Sequence, residues 1–456
     1  MTIEEFGLPK RADVLVIGGG MGGLAAAAAA SEAGAQVVVV EKATHPGGSA
    51  AISVGMFWGP PDFESLRARV PLGDPTLGRA FVEAYPSAVE QIRGMGIRVG
   101  NQVQGVMTIG IGYSIDVLAL LSHEVAAIEK VGGRVICETA GRRLLTDDKG
   151  AVVGAEVRGP GGRTATISAR ATILATGGFQ GDPDLLTTHM GPNSDHLVLR
   201  SNRGSVGDGL RLSGAVGGAT SRAMSTFYGH LMPSPVPHFA EHQFMPLAQY
   251  HSNHCLLVNL RGRRFCDESQ GDEVSNQALL PQPEARGVLL CDQRVRTTYV
   301  VAEPFPNAGG IDRFAEAVAA GAHFTSANTV EALASQVAGW GVDAVQLLAT
   351  IEAYAAAARG EPVSLDAPLP ATPEPLTEPP FYALEVVPSI TFTYGGLRSD
   401  LEGRVLDHDS VPVSGLWVGG VDAGGLSNWT YAGGLAAAYF TGRRAGASAA
   451  RHGASL

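Results

Sequence analysis

The residues whose types and spacing most clearly imply chemistry are Gly18-Gly19-Gly20-Met21-Gly22-Gly23, a GxGxxG run. In such a run the first glycine serves a tight turn. The second lets the backbone approach a pyrophosphate, and the third lets a helix pack closely on a strand, roles that fall here to Gly18, Gly20 and Gly23. A helix opening at that point turns unpaired N–H groups and the positive end of its dipole toward the phosphates. Glu41 closes the next apolar run, where a carboxylate accepts from the hydroxyls of an adenosine ribose, and an acid there favours an unphosphorylated ribose. The glycine pattern alone is weak, since a ligand-free turn reads the same. Its weight comes from the order strand, glycines, helix, strand, acid.

That order defines the elements that must hold the site. Residues 13–17 read as a buried strand, residues 24–33 as an alanine-rich helix ending at Gly34, and residues 36–41 as a second strand, together half of a doubly wound parallel sheet. Residues 134–139, 151–158 and 164–167 read as short strands of an antiparallel meander, before residues 171–176 return as an apolar strand. Later the texture changes to mixed strands and alanine-rich helices such as residues 330–357, and a proline-rich stretch follows over residues 362–380. The expected fold is α/β: a Rossmann-like domain with an antiparallel excursion, formed by residues 1–224 and 379–456, plus an α+β capping or substrate domain over residues 225–378.

The whole chain narrows the partners. With 456 residues it is long enough for two or three domains. Its 60 glycines indicate heavy use of tight turns and close backbone approach. A formal charge of -11 argues against a nucleic acid, whose binders carry a basic face. Cys137, Cys255, Cys266 and Cys291 have neither disulfide-framework nor metal-site spacing, so no metal is expected and a reducing cytoplasm fits. The opening segment, with Glu4 and Glu5, lacks the basic-then-apolar order of an export signal. Apolar runs fall short of the roughly 20 residues that cross a bilayer, so no transmembrane segment is expected.

Further motifs follow in order. Glu41-Lys42, Pro46-Gly47-Gly48-Ser49, Ala175-Thr176-Gly177-Gly178-Phe179, Gly207-Asp208-Gly209 and the run from Gly415 through Gly433-Gly434 to Gly442-Arg443 resemble the landmarks of the fumarate reductase and succinate dehydrogenase flavoprotein superfamily. The resemblance spans nearly the whole chain and implies FAD. It extends the cofactor set to Lys42, Gly47, Gly48, Ser49, Ala140, Thr176, Gly177, Asp208, Asp422, Gly434 and Leu435, with the Gly434-Leu435 amides opening a helix toward the flavin. Asp422 stands where the family usually has Glu. Ser49 occupies the position of the histidine that carries FAD in covalent members, so noncovalent FAD is expected.

The substrate end departs from the fumarate reductases, which hold a dicarboxylate with cationic forks. Four residues beyond the Glu of Arg264-Phe265-Cys266-Asp267-Glu268, the family's proton-transferring arginine is replaced by Asp272. Tyr431 replaces another arginine, and Thr391-Phe392-Thr393 replaces His-His-Thr. Asn428-Trp429-Thr430-Tyr431-Ala432-Gly433-Gly434 instead resembles the segment of 3-ketosteroid dehydrogenases in which a Tyr hydroxyl and a backbone amide bind the substrate ketone. That resemblance implies a mechanism: Tyr431 and the amide polarise a carbonyl, a base removes the α-proton, and hydride passes from the β-carbon to flavin N5.

Asp272 and Tyr394 are the candidates for proton transfer, with Glu273 beside Asp272. Tyr228, His251, Trp429 and Gly434 are the candidate substrate contacts, with His230 and His254 nearby. Bland readings compete: the acids as a solvated loop pair, Trp429 as core filler, and the histidines as structural. The expected activity is desaturation of a ketosteroid or smaller cyclic ketone. The alternatives are an ene-reductase running the same step backward and a flavin-binding protein without turnover. No haem or iron-sulfur cysteine pattern occurs, so oxygen, a quinone or a partner protein is expected as the external electron acceptor or donor.

Overall fold

The computed structural model describes residues 8–107, 109–303 and 309–454, so the acidic opening with Glu4 and Glu5 lies outside the described residues. The chain forms two compact units. The first comprises Met1–His189, Ser201–Phe227 and Phe392–Leu456, and the second comprises Met190–Arg200 and Tyr228–Thr391.

In the first unit, β1 (Arg11–Ile17) leads through the glycine turn into α1 (Met21–Glu32) and on to β2 (Val37–Val40). The four consecutive valines of β2 are fully buried, as suits a parallel strand covered on both faces. Next come β3 (Arg134–Ile136), β4 (Ala140–Thr146), β5 (Val152–Arg158) and β6 (Thr164–Leu174). The sheet runs Arg404–Leu406, Pro412–Val418, β6, β1, β2, β3, with β5 paired to β6 and β4 to β5. One strand, β6, takes the place of the two expected over residues 164–176. Its first half pairs antiparallel with β5 and its second half parallel with β1, and its burial changes from alternating to continuous along the way.

Helix α1 is buried around nearly its whole circumference, which its run of alanines permits. It packs on the C-terminal helix Leu435–Ala454 through small residues: a Cβ on Gly442 would lie 2.1 Å from the Gly22 carbonyl oxygen, and one on Gly446 would lie 1.9 Å from that of Ala26. This pairing holds the glycine turn and the last glycine pair in one rigid body.

The second unit is an antiparallel sheet with helices. Phe381–Val387 is its central strand, pairing with Gly287–Cys291 on one edge and with Met232–Pro233 and Phe324–Ala327 on the other. That strand carries the unit past residue 378 to Thr391. The helical stretch expected over residues 330–357 is two helices, Val330–Val337 and Ala344–Ala358, separated near Gly341, whose φ is 93°. No helix among the described residues is long and apolar enough to cross a membrane.

Candidate active site

The dinucleotide cradle is built from backbone. Gly18 has φ +110°, and a Cβ there would lie 2.1 Å from the Ala175 carbonyl oxygen. A Cβ on Gly23 would lie 1.9 Å from the Gly18 carbonyl oxygen. Gly20 differs, since the nearest atom to a Cβ there is the Gly47 carbonyl oxygen at 3.9 Å, which leaves room above the turn. No side chain caps α1, so its first N–H groups remain available to an anion. Gly47 donates to the Gly19 carbonyl at 2.8 Å, and Gly48 begins a short helix that carries Ser49, whose hydroxyl meets Ser201 Oγ at 2.7 Å and Asn202 Nδ2 at 2.6 Å.

Glu41 is anchored by this backbone. Its Oε2 accepts from Gly19 N–H and its Oε1 from Ala43 N–H, each at 2.7 Å, which fixes a carboxylate at the end of β2 with lone pairs to spare. Lys42 pairs with Asp208 at 2.5 Å. Asp422 is 1% exposed and not a loop carboxylate in solvent. It accepts from Thr176 N–H, from Thr176 Oγ1 at 2.8 Å and from Gly178 N–H at 2.9 Å, and burial raises its pKa against those bonds. Gly177, with φ +96°, lies between them, and Ala140 opens β4.

A pocket in the same unit is lined by Phe392, Tyr394, Val421, Gly433, Gly434 and Ala437, among others, and no charged side chain lines it. Gly434 stands directly before the C-terminal helix, of which Leu435 is the first residue. A Cβ on Gly434 would lie 2.6 Å from Tyr431 Oη, so the tyrosine hydroxyl sits against that glycine. The Tyr431 ring stacks on Tyr394, with centroids 6.5 Å apart and planes at 12°, and meets Trp58 and Phe392 at 5.1 Å and 5.7 Å. The two tyrosines singled out from separate segments are therefore neighbours. Trp429, read as substrate contact or core, is 45% exposed with φ 65°, and it does not line the pocket.

In the second unit, Arg264 and Glu268 form a buried bidentate ion pair, Nε to Oε1 at 3.0 Å and Nη2 to Oε2 at 2.5 Å. Asp272 then opens the helix Asp272–Leu279. It is only 6% exposed and Glu273 is 1% exposed, which overturns the reading of a solvated pair. Asp272 Oδ2 is hydrogen-bonded to His230 Nδ1, and His230 Nε2 lies 2.7 Å from Tyr228 Oη. Burial lowers the His230 pKa against the pull of Asp272, and the Arg200 charge lowers it further.

His251 is 4% exposed and packs edge-on to Phe314, with its pKa pushed down to about 3 by burial and the Arg313 charge. It is a buried residue of the second unit. His254 stacks on Tyr299 and bonds Glu374 at 2.6 Å, a structural role. The link between His230 and Asp272 was not read from the sequence, because the residues are 42 positions apart. The one available signal was the spacing of Tyr228 and His230, two residues apart and so on one face of an extended segment.

The family model described as "FAD binding domain" matches residues 13–436. The chain belongs to the FAD-binding domain family. An NADH:fumarate oxidoreductase of Klebsiella pneumoniae is 27% identical over 94% of this chain, which spans only 46% of that protein's length. A vinyl phenol reductase of Lactiplantibacillus plantarum is 27% identical, with 96% of each chain covered. The crystal structure of a 3-ketosteroid-Δ4-(5α)-dehydrogenase from Rhodococcus jostii superposes with a TM-score of 0.75 at 22% identity, over 96% of this chain and 97% of that one, and shows the same fold.

The chain is an FAD-dependent oxidoreductase. The open face of Gly20, the uncapped α1 and the anchored Glu41 fit the dinucleotide.

Proposed function

We propose that this oxidoreductase interconverts a saturated ketone and its α,β-unsaturated counterpart, chiefly as a desaturase of a ketosteroid or smaller cyclic ketone. The observation that carries this is the Tyr431 hydroxyl held against Gly434 beside a pocket with no charged lining. A dicarboxylate would need cationic forks there, whereas a neutral carbonyl needs one or two donors. Tyr431 Oη–H, with an amide of Gly434 or Leu435, would donate to the carbonyl oxygen and stabilise the charge that develops as the α-proton leaves. Bound FAD supplies the two-electron acceptor for hydride from the β-carbon. Tyr394, stacked on Tyr431, is the group in the same unit available to exchange the proton.

FAD would be held noncovalently, since Ser49 stands in place of a histidine, and oxygen, a quinone or a partner protein would complete the cycle. A second reading, an ene-reductase, is favoured by the two reductases among the relatives at 27% identity.

The test is the visible spectrum of the purified protein mixed without oxygen with a panel of ketosteroids and cyclohexanones. Bleaching of the flavin band that is lost in Tyr431→Phe is expected. Reoxidation of reduced protein by enones, with no bleaching by saturated ketones, would establish the reductase. Failure of both would overturn the proposal.

A further inference from the structure

Tyr431 stands on a loop of the first unit that one side chain closes. Ala432 N–H donates to Ser427 Oγ at 3.0 Å, and both residues are buried. Only Asn428, Trp429, Thr430 and Tyr431 lie between them, so the closed ring contains Tyr431 and little else.

The rest of the loop is pinned on the side away from the tyrosine. The Gly425 carbonyl accepts from Asp74 N–H at 2.7 Å, Asn428 Nδ2 donates to the Leu72 carbonyl at 3.2 Å, and Thr430 Oγ1 donates to the Arg69 carbonyl. Asn428 and Thr430 bridge one another across Trp429, whose φ of 65° is a strained value for a bulky residue. Such a value persists only where the surroundings over-determine it, here through bonds on both sides of the turn.

The Tyr431 ring meets Trp58, Phe392 and Tyr394. Those contacts hold the ring, but apolar packing has no strong direction and does not by itself aim a hydroxyl. The backbone does that. The N–H accepted by Ser427 belongs to the peptide that joins Tyr431 to Ala432, and a planar peptide held at one atom is held in orientation, which fixes ψ of Tyr431. Ser427 also lines the pocket together with Gly433, Gly434 and Tyr394. A carboxylate could accept the same N–H, but it would bring a negative charge to the wall near which enolate charge must develop. A hydroxyl oxygen accepts without that charge.

We propose that Ser427 is a positioning residue of the carbonyl site: by accepting from the Tyr431–Ala432 peptide it keeps Tyr431 Oη against Gly434. The proposal rests on the function proposed above and adds to it the group that aims the donor. Ser427 acts through Tyr431 and takes no proton from substrate.

The aim of Tyr431 is read apart from turnover by the infrared carbonyl stretch of a bound enone, which falls in frequency as hydrogen-bond donors polarise the carbonyl. The probe is an isotope-labelled cyclohexenone or enone steroid, whichever the protein forms or consumes, added to the oxidised, flavin-loaded protein. The stretch should be lowered in the parent, and in Tyr431→Phe it should return toward its value in apolar solvent. Ser427→Ala should move it part of the way. Ser427→Cys keeps the side-chain volume but accepts weakly, so it should behave as Ser427→Ala does and carries the comparison if the alanine variant fails to hold flavin. In the bleaching assay both Ser427 variants should lose about 10–10²-fold in rate at saturating ketone, as expected when a reacting group is misplaced by a fraction of an ångström to an ångström, with the half-saturating concentration little changed.

A parent-like stretch and rate in Ser427→Cys would overturn the positioning role and leave the proposed function standing. A slower Ser427→Cys whose enone stretch matches the parent would overturn it as well, since Tyr431 would still be aimed. If the parent protein reacts with neither ketones nor enones, the proposed function fails and the positioning role with it.

Discussion

Tyr431 and Gly434 touch: the hydroxyl of the first occupies the space into which a side chain on the second would project, 2.6 Å from the ideal Cβ position. The two residues therefore define one donor site, and Gly434→Ala should damage it by moving the hydroxyl without deleting it. Tyr431→Phe deletes the donor and leaves the ring in its aromatic setting. Both variants should keep FAD. Each should lose about 10²–10³-fold in the rate of flavin bleaching by ketone, the size of effect found when one donor to a developing oxyanion is removed. Anaerobic stopped-flow absorbance checks this, and full rates in both variants would remove the carbonyl site from Tyr431.

Asp422 should govern cofactor retention. It accepts from two partly buried hydrogen-bond donors of Thr176 and a buried one of Gly178, and Gly209 gives it room because a Cβ there would lie 2.5 Å from Oδ2. Asp422→Ala strands those donors, each at a cost of roughly 1–3 kcal/mol unless water enters. The turn at Gly177 should loosen. The expected result is FAD lost on gel filtration and a lower melting temperature, both restored in part by added FAD. A variant that keeps stoichiometric flavin would show that Asp422 is structural only.

The first unit was legible because its signals are local. The valines of β2, the alanines of α1 and the glycines between β1 and α1 each dictate their own conformation, and the motif order predicted the cofactor now assigned by family. Proton transfer was harder to read. Asp272 reads as a loop acid because its hydrogen-bond partner, His230, is far away in sequence. For Trp429 only the reading as core filler is excluded, since a large aromatic predicts burial and this one is 45% exposed. The strand Phe381–Val387 was assigned to the first domain because proline-rich text precedes it, yet its partners lie at Gly287–Cys291, a pairing no local pattern encodes.

Glu124 gives a pH prediction. It is 1% exposed, Oε1 has no hydrogen-bond partner, and burial together with the Glu32 charge pushes its pKa up to about 7, against an opposing pull from Arg443. Because the folded pKa lies above the unfolded one, near 4.5, the folded state holds the extra proton between those values. The stability from this group is complete below the unfolded pKa and is lost as pH rises through about 7. Glu124→Gln keeps the shape and removes the titration. Its melting temperature relative to the parent should rise across that window and level off above it, with a ceiling of a few kcal/mol at about 1.4 kcal/mol per unit. Parallel melting curves at all pH values would show that the carboxyl is not titrating there.

Glycines in helices separate two opposing effects, and this chain offers a matched pair. Alanine is the better helix former by about 1 kcal/mol, so a helical glycine with free space around it should gain stability on replacement. Gly94, at the end of the helix Pro75–Gly94, has nothing within 4 Å of a Cβ position, so Gly94→Ala should raise the melting temperature slightly. Gly446 lies in the C-terminal helix, and its Cβ would come within 1.9 Å of the Ala26 carbonyl oxygen. Backbone cannot yield as a flexible side chain can, so the helices must separate, at a cost of about 1–3 kcal/mol that outweighs the gain in propensity. Since α1 carries the glycine turn at its N-terminus, Gly446→Ala should also weaken FAD binding, measured as a higher concentration of FAD needed to restore the holoprotein. If both replacements stabilise the protein, the close packing of α1 on the C-terminal helix is not what holds the cradle in place.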